Sequence, residues 1–319
     1  MAVMLNWLVI GIGDITTKRV IPAIQEEPRS VLYGVLSRDP QKGSRYAAHV
    51  WTDLTEALRD TAVGAVYVAS PVFLHARQTI AALRAGKHVL CEKPTAMNYA
   101  EACEMARVAA ETGRTLGVAY YRRNYPKVHR ALALLKQGVI GRPVLAEINC
   151  HDWFNDEART RSWLLDPAQS GAGPLFDIAS HRIDILNFFF GRPWAVSAHL
   201  ANVVHRNPVE DCATLLIEYD SGVRGIADVR WHSRQARDEF RIVGTEGEME
   251  LSPLNGPPLS YPGGSEEIPT HTNVHYPCVH NFVEAVLDGA PLASSGESAM
   301  WTDWVTEEAL RRNATRLVR

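Results

Sequence analysis

Residues 5–17 read LNWLVIGIGDITT, and this stretch decides the fold of the first third of the chain. Residues 5–10 form a short apolar run, which is typical of a buried strand. The stretch 18–27, KRVIPAIQEE, predicts a helix after the run, with Pro22 early in it, where a missing amide hydrogen does least harm. A strand that leads through two glycines into a helix is the context in which a Gly-x-Gly motif is informative about function.

The two glycines of this turn have separate tasks in a nucleotide-binding interpretation. Gly11 permits the tight turn, and Gly13 lets an anion approach the helix N-terminus, where free amides and the helix dipole favour negative charge. Asp14 and Ile15 follow and are predicted to line the same site. Thr16 stands where the fingerprint has its third glycine, so the motif alone also fits an ordinary strand–helix turn. Its place after the first strand favours a dinucleotide cofactor.

Strands and helices continue to alternate through the first domain, residues 1–123. Four further strands are predicted, at 31–36, 64–70, 87–91 and 115–121. Asp53 and Asn98 are predicted to cap two of the helices, and Gly86 and Gly113 to end two of them. This alternation predicts an α/β Rossmann domain with a parallel sheet covered by helices on both faces.

The second domain, residues 124–319, follows a different pattern. A helix is predicted over 126–138, and strands with alternating polarity are predicted at 143–151, 195–204, 212–219, 223–231, 239–245 and 248–252. The Pro- and Gly-rich stretch 252–273 is predicted to be a long loop. The pattern indicates an α+β domain with an open, largely antiparallel sheet, one face of which is available to helices or to another subunit.

Composition argues against several classes of function. The 319 residues have a formal net charge of −3, which offers no electrostatic basis for binding nucleic acid or an anionic membrane. The five cysteines are odd in number and contain no CxxC pair, so a reducing compartment is favoured over a disulfide framework or a zinc site. The apolar N-terminus lacks a basic region before Lys18, unlike a signal peptide. We therefore expect a cytoplasmic protein.

The end of the second strand bears on the choice between NAD and NADP. Folds that prefer NAD usually place an acidic residue here, which binds the ribose 2′-hydroxyl. This sequence has Ser37 and Arg38 at that point, with Asp39 behind them. Ser37 cannot repel a 2′-phosphate and Arg38 can pair with it, so NADP(H) is favoured. In the alternative, Arg38 is a solvated loop residue, Asp39 binds the ribose, and the cofactor is NAD(H).

A second group of polar residues lies in SGAGPLFDIASHRIDILNFFF, residues 170–190, which is glycine-rich and then predicted to be helical. Asp177, His181 and Asp184 are spaced so that they share one face of the helix. An acid and a histidine placed in this way can perform general acid–base chemistry near neutral pH. A surface pair and a metal site are the alternatives. No further ligand is spaced to complete a metal site, so no metal is predicted.

Three segments together resemble the glucose–fructose oxidoreductase/inositol dehydrogenase (Gfo/Idh/MocA) family. They are CEKP at 91–94, the preceding SPVFLHARQTIAALRAGKHVL at 70–90, and SGAGPLFDIASHRID at 170–184. The resemblance covers essentially the whole chain, and RRN at 122–124 with VED at 209–211 is similar to the 1,5-anhydro-fructose reductase branch. It implies a Rossmann domain, a C-terminal open sheet, a nicotinamide cofactor, and a homodimer or homotetramer joined through that sheet.

The resemblance also assigns catalytic roles to individual residues. Lys93 stands at the carboxyl end of a strand, where open α/β sheets bind ligands, and is implied to be an active-site cation beside the nicotinamide. Glu92 belongs to the same loop and to the cofactor site. Asp177 and His181 match the family's acid–histidine pair, with His181 exchanging a proton and Asp177 orienting the substrate, whereas Asp184 is expected to be structural.

Further positions are implied around the two ligands. Those on the cofactor side are Ser70, Pro71, Leu74, His75 and Arg122. Those on the substrate side are Arg123, Asn124 and Trp163. For Trp163, a core position is an equal alternative. The chain departs from the family pattern at Val72, Ala172 and Ala179, which leaves the three catalytic residues intact.

These features predict an NAD(P)-dependent oxidoreductase acting on CH–OH groups. It would transfer a hydride between the nicotinamide and a carbinol or carbonyl carbon of a sugar, ketosugar or cyclitol. Reduction is the expected direction because NADP(H) is favoured. A nicotinamide-dependent glycosidase and a non-catalytic, cofactor-binding regulatory protein are the alternatives.

Overall fold

The computed structural model describes residues 3–155, 162–312 and 316–317. The chain divides into two compact units, of which the first comprises Met1–Asn124 and His271–Met300 and the second Tyr125–Thr270 and Trp301–Arg319. The sequence analysis drew a single boundary after residue 123, whereas in this division residues 271–300 belong to the first unit.

The first unit is built on a six-stranded parallel sheet. Its strands are β1 (Leu5–Ile10), β2 (Ser30–Leu36), β3 (His49–Trp51), β4 (Ala65–Val68), β5 (His88–Cys91) and β6 (Leu116–Val118). Their order is β3-β2-β1-β4-β5-β6, with every neighbouring pair parallel. The order reverses between β1 and β4, and ligands of doubly wound folds bind outside the carboxyl ends of the strands at such a switch point.

Five helices of this unit connect the strands. They are α1 (Ile21–Glu26), α2 (Pro40–Gly43), α3 (Leu54–Arg59), α4 (His75–Arg84) and α5 (Tyr99–Thr112). Asp53 and Asn98 cap α3 and α5 as predicted, since their side chains accept from backbone amides of the first turn. Gly113 ends α5 with φ +63°, a conformation that suits a residue without Cβ.

The start of the first helix differs from the prediction. A π-helical turn, Thr16–Val20, runs directly into α1, so Pro22 follows a helical turn that is already formed. The amide of Ile21 bonds the carbonyl of Thr16, five residues back. Because Pro22 has no amide hydrogen, it cannot continue a regular ladder, and the wider turn before it accommodates the interruption.

The second unit contains a nine-stranded sheet. Its strands are β7 (Pro143–Trp153), β8 (Pro193–Asn202), β9 (Cys212–Tyr219), β10 (Arg224–Arg230), β11 (His232–Gly244), β12 (Glu248–Glu250), β13 (Pro258–Tyr261), β14 (Gly264–Glu267) and β15 (Arg316–Leu317). The order is β14-β13-β12-β11-β7-β10-β9-β8-β15, and the pairs β7–β10 and β8–β15 are parallel while the others are antiparallel. The stretch 252–273 was predicted to be a loop, but it contains the β13–β14 hairpin.

One face of this sheet is covered and the other is open. The second unit also contains α6 (Pro126–Lys136), α7 (Pro167–Ser170) and α8 (Ser180–Phe190), and α8 contacts β7 and β10. Along β9, Ala213, Leu215 and Ile217 are buried, whereas Thr214 and Leu216 between them are exposed. This alternation is the half-buried antiparallel sheet that the sequence pattern predicted.

The last two helices are α9 (Tyr276–Asp288) and α10 (Gly296–Arg312). On α9, Phe282 is fully buried and packs its ring 5.3 Å from that of Trp7, in one apolar cluster with Tyr67 and Leu90. This packing explains why the segment returns to the first unit.

None of the helices in the described part of the chain has the length and apolar character that crossing a membrane requires.

Candidate active site

The glycine turn after β1 has the geometry expected of an anion-binding turn. Gly11 has φ +90°, and a Cβ atom there would lie 2.7 Å from the carbonyl oxygen of Ala69, so only glycine fits. A Cβ at Gly13 would meet nothing within 4 Å, which leaves space beside its backbone. Thr16 is buried and its hydroxyl donates to the Gly11 carbonyl at 2.9 Å. The threonine thus closes the turn in place of the third glycine, and the residues fit a bound dinucleotide.

The loop after β2 separates the two candidates for ribose recognition. The Asp39 carboxylate accepts from the amides of Gln41 and Lys42 at 3.0 and 3.2 Å, so it caps α2. The Ser37 hydroxyl donates to the Asp39 carbonyl at 2.8 Å, and Arg38 is exposed. An aspartate used as a helix cap is less available to a ribose hydroxyl than one that projects from the strand end.

Lys42 is a candidate site residue that the sequence analysis missed. Its Nζ donates to the carbonyl oxygen of Ile12, within the glycine turn, at 2.5 Å. The ammonium therefore lies beside the predicted anion site, where Asp14 pairs instead with Lys18 at 2.7 Å. The hydrogen bond and charge of Lys18 lower the pKa of Asp14. Asp39 followed by a proline at the first helical position was the available signal that a short helix carries Lys42 back towards the turn.

The segment after β4 is tied to the loop after β5 by a buried histidine. His75 lies with Nδ1 2.9 Å from the Pro94 carbonyl and Nε2 2.8 Å from the Ser70 carbonyl, and burial lowers its pKa. The Ser70 hydroxyl donates to Gln78 at 2.6 Å. The ring of His75 thus holds the segment after β4 to the loop after β5, while Pro71 and Leu74 are partly exposed along the former.

Glu92 and Lys93 directly follow β5, which ends at Cys91. Glu92 is 7% exposed, and its carboxylate accepts from the Tyr67 hydroxyl at 2.7 Å and from the Lys93 backbone amide at 3.2 Å. Burial alone would raise the pKa of Glu92, but the interaction with the His275 ring, the Tyr67 hydrogen bond and the charge of Lys93 lower it on balance. Lys93 itself is partly exposed at this strand end.

The turn after β6, Tyr121–Asn124, carries two arginines with different surroundings. The Arg122 guanidinium lies 4.9 Å from the centre of the Tyr121 ring. The centre of that ring lies 4.7 Å from the centre of the His275 ring. Arg123 is 2% exposed and donates to the Ala293 carbonyl at 3.0 Å and to Ser298 at 2.7 Å. These bonds give Arg123 a structural task in holding the returning segment, and its contact with substrate stays a prediction.

In the second unit, the acid–histidine pair lies at the start of α8. Asp177 belongs to a π-helical turn, Leu175–Ala179, and His181 to the first turn of α8. Asp177 is partly exposed, whereas His181 is 6% and Asp184 1% exposed. The Thr302 hydroxyl lies 3.4 Å from the Asp184 carboxylate, in agreement with the structural role expected for Asp184.

Glu210 holds the backbone that leads into this helix. Its two carboxylate oxygens accept from the amides of Gly173 and Leu175, each at 3.0 Å. Burial raises the pKa of Glu210, although these two backbone bonds oppose the shift. A Cβ at Gly173 would lie 2.2 Å from the Glu210 carbonyl oxygen, so the close approach requires glycine. The sequence motif VED contained Glu210 without indicating this contact.

Two remaining predictions concern an aromatic residue and metal ligands. Trp163 lies in a 3₁₀ turn and is 39% exposed, so it is not a core tryptophan.

Among the described residues, potential ligand atoms of Asp211, Cys212 and His232 lie within 4.8 Å of one another. The Asp211 carboxylate already accepts from three backbone amides, and burial raises the pKa of Cys212 to about 11. Both properties oppose metal binding, because a thiolate and free carboxylate lone pairs are needed.

Comparison with known proteins identifies the family. A model for an oxidoreductase family with an NAD-binding Rossmann fold matches residues 5–120, and a model for the GFO/IDH/MocA C-terminal domain matches residues 128–250. The chain is 30% identical over 314 residues to 1,5-anhydro-D-fructose reductase from Ensifer adhaerens, with 94% of this chain and 93% of that protein covered. The chain therefore belongs to the Gfo/Idh/MocA family of oxidoreductases.

Solved structures show the same fold with either nicotinamide cofactor. GenD2 from gentamicin A biosynthesis, in complex with NAD, has a TM-score of 0.84 and 26% identity, with 98% of this chain and 95% of that chain covered. KijD10, a 3-ketoreductase from Actinomadura kijaniata in complex with NADP, has a TM-score of 0.85 and 23% identity, with 99% and 100% covered. The predicted fold class and enzyme class are confirmed: the chain is a nicotinamide-dependent oxidoreductase.

Proposed function

We propose that the protein reduces the carbonyl group of a sugar-like substrate with NADPH. The observation that carries the proposal is Lys93 at the carboxyl end of β5, in a unit whose glycine turn fits a dinucleotide. Ligands of such sheets bind outside the carboxyl ends of the strands. The similarity to 1,5-anhydro-D-fructose reductase supports a ketosugar as substrate.

The proposed mechanism assigns charge stabilisation to Lys93 and proton transfer to His181. The nicotinamide supplies the hydride when bound. Lys93 places a cation at the carbonyl oxygen and stabilises the negative charge that develops there. His181 donates the proton to that oxygen, and Asp177 orients the substrate. Arg122, Asn124 and Trp163 are proposed to complete the cofactor and substrate contacts.

The preference for NADPH is proposed from the loop after β2. Asp39 caps α2, so its carboxylate is engaged where an NAD-specific fold would direct an acid at the ribose. Arg38 is exposed at the same strand end, and Lys42 brings a second cation to the glycine turn. A 2′-phosphate carries a charge of about −1.5 to −2 and pairs well with two such cations.

Assembly and compartment are also proposals. The open face of the nine-stranded sheet is proposed to join two or four copies of the chain, because Leu216 of β9 is 37% exposed on that face beside Ile226 of β10. A cytoplasmic location is proposed because the five scattered cysteines suit a reducing compartment.

Titration of the purified protein with NADPH and with NADH, followed by nicotinamide fluorescence, tests the cofactor proposal. We expect tighter binding of NADPH. In Arg38→Ser and Lys42→Gln, NADPH affinity should fall about tenfold each, a change of about 1.4 kcal/mol, with little change for NADH. Lys136→Gln, an exposed lysine on α6, is the control and should behave as wild type. Preferential NADH binding that is insensitive to Arg38 and Lys42 would reject the NADPH proposal.

Turnover is tested by following NADPH absorbance with a panel of ketosugars that includes 1,5-anhydro-D-fructose. We expect steady NADPH oxidation with at least one member of the panel. Release of sugar from a glycoside without net oxidation would instead indicate a nicotinamide-dependent glycosidase. Cofactor binding without turnover of any ketosugar, polyol or glycoside would favour a regulatory protein.

A further inference from the structure

A buried polar cluster lies directly beneath the Lys93 loop. It consists of Glu92 from the end of β5, Tyr67 from β4 and His275 from the returning segment before α9. The Glu92 oxygen Oε1 accepts from the Tyr67 hydroxyl at 2.7 Å and lies 3.4 Å from Nε2 of His275. Glu92, Tyr67 and His275 are 7%, 0% and 2% exposed.

Such burial requires compensation. A carboxylate removed from water is costly unless hydrogen bonds and an opposite charge replace its hydration. Tyr67 supplies one neutral hydrogen bond, and its own pKa is raised well above its ordinary value by burial and by Glu92. The Nε2 atom of His275 lies 3.4 Å from Glu92 Oε1 and is the polar group that faces this carboxylate from the returning segment.

The position of His275 is fixed by its own neighbours. Its backbone amide donates to the Asn273 side chain at 3.2 Å, and its ring contacts that of Tyr121 at 4.7 Å, tilted by 38°. The histidine therefore reaches β5 because residues 271–300 return to the first unit. Its placement depends on tertiary packing, which leaves no local pattern in the sequence.

Glu92 is in turn bonded to the residue that is proposed to act on the substrate. Its second oxygen, Oε2, accepts from the backbone amide of Lys93 at 3.2 Å. The carboxylate thus anchors the backbone from which the Lys93 side chain extends. A protonated Glu92 would bind that amide less strongly, because hydrogen bonds to charged acceptors are stronger than those to neutral ones.

We propose that His275 is a positioning residue for Lys93: paired with Glu92, it keeps that carboxylate ionised and thereby fixes the loop and the charge around Lys93. The inference rests on the proposed function of Lys93 and adds a residue that touches neither substrate nor cofactor. The titratable groups that face the pair are Tyr67, Lys93, His75, Tyr121 and, beside Tyr67, the thiols of Cys91 and Cys278.

The pH dependence follows from the sign of the shift. The pKa of Glu92 is lowered in the folded chain, so its contribution to stability is present above its unfolded pKa and is lost as the pH falls through the folded value. Removal of His275 takes away the 3.4 Å interaction that lowers the pKa of Glu92, while burial still raises this pKa. The acid limb of the pH–activity profile should then move to higher pH.

The test compares His275→Phe, which keeps a ring against Tyr121, with His275→Gln and with the double variant His275→Phe/Glu92→Gln. His280→Phe on α9 is the matched control, because His280 lies at the same distance of 3.4 Å from a carboxylate, Glu27, which is not adjacent to Lys93. We expect kcat to fall about tenfold or more in both single His275 variants, with the NADPH dissociation constant within about threefold of wild type. The acid limb should move upwards only in the His275 variants. His275→Phe should also lose stability, and part of that loss should be recovered in the double variant.

A second measurement does not depend on substrate. The titration of Glu92 is followed by NMR of ¹³C-carboxyl glutamate and assigned with Glu92→Gln. A higher Glu92 pKa in His275→Phe or His275→Gln supports the pairing even where the wild-type protein turns over no sugar. An unchanged Glu92 titration, or variants with wild-type kcat and pH profile but lower stability, would show that His275 serves packing alone.

Discussion

At the scale of single residues, substitution of Lys93 tests the proposed chemistry most directly. Lys93→Met keeps most of the length of the side chain and removes the cation that follows β5. We expect kcat to fall by about 10²- to 10³-fold, the range for loss of one group that stabilises a developing oxyanion. NADPH affinity should change little. The measurement is steady-state reduction of the ketosugar found in the panel, together with the fluorescence titration.

Lys136→Met provides the control for this substitution, because Lys136 is an exposed lysine on a helix of the other unit. It should retain wild-type kcat and affinity. Turnover by Lys93→Met at the wild-type rate would remove Lys93 from the mechanism.

The residues that the sequence analysis proposed and those that it missed differ in the sequence separation of their contacts. Gly11 and Lys93 were proposed as site residues because a local motif places them at strand ends. Lys42, Glu210 and His275 were missed because each acts on a partner that is distant in sequence, at Ile12, Gly173 and Glu92. Such contacts arise only when the fold brings separate segments together.

At the scale of secondary-structure elements, the entry into α8 depends on Glu210. Glu210→Gln keeps one oxygen but places an NH₂ group against the amide of Gly173 or Leu175, so one buried donor loses its acceptor. We expect a loss of about 1–3 kcal/mol in the free energy of unfolding at neutral pH. Urea denaturation checks this, and kcat/KM should fall as Asp177 and His181 are displaced.

The pH dependence of the same variant has a defined sign. The pKa of Glu210 is raised by burial, so the folded chain retains its proton longer than the unfolded chain, and stability declines as the pH rises from the unfolded value through the folded one. Glu210→Gln should lack this part of the decline. Glu218→Gln is the control, because Glu218 on β9 is partly exposed, and this variant should keep the wild-type dependence of stability on pH. A Glu210→Gln profile parallel to wild type would contradict the assignment.

Element boundaries were predicted well where local chemistry sets them and poorly where pairing sets them. The caps at Asp53 and Asn98 and the stop at Gly113 act within one turn of the chain. The hairpin at 258–267 lies in a Pro- and Gly-rich stretch without polar–apolar alternation, and β13 is ordered by pairing with β12. The π-helical turn before α1 likewise has no counterpart in simple helical periodicity.

At the scale of the whole molecule, the open sheet face predicts self-association. Leu216→Glu should shift the assembly towards monomer, since it buries a charge within the proposed interface. Leu310→Glu is the matched control, because Leu310 has the same exposure of 37% on α10. Light scattering coupled to size exclusion measures the mass. A monomeric wild-type protein, or an assembly unaffected by Leu216→Glu, would refute this use of the face.

The return of residues 271–300 has a consequence for folding during synthesis. The strands that carry Trp7, Tyr67 and Leu90 leave the ribosome early, but Phe282, which covers them, is made only after the whole Tyr125–Thr270 region. At about 5–20 residues per second, that interval is on the order of ten seconds. Throughout it, the apolar face that carries Trp7 has the part of its cover that α1 supplies, with Ile24, but lacks Phe282. This is the period in which a chaperone has most to protect.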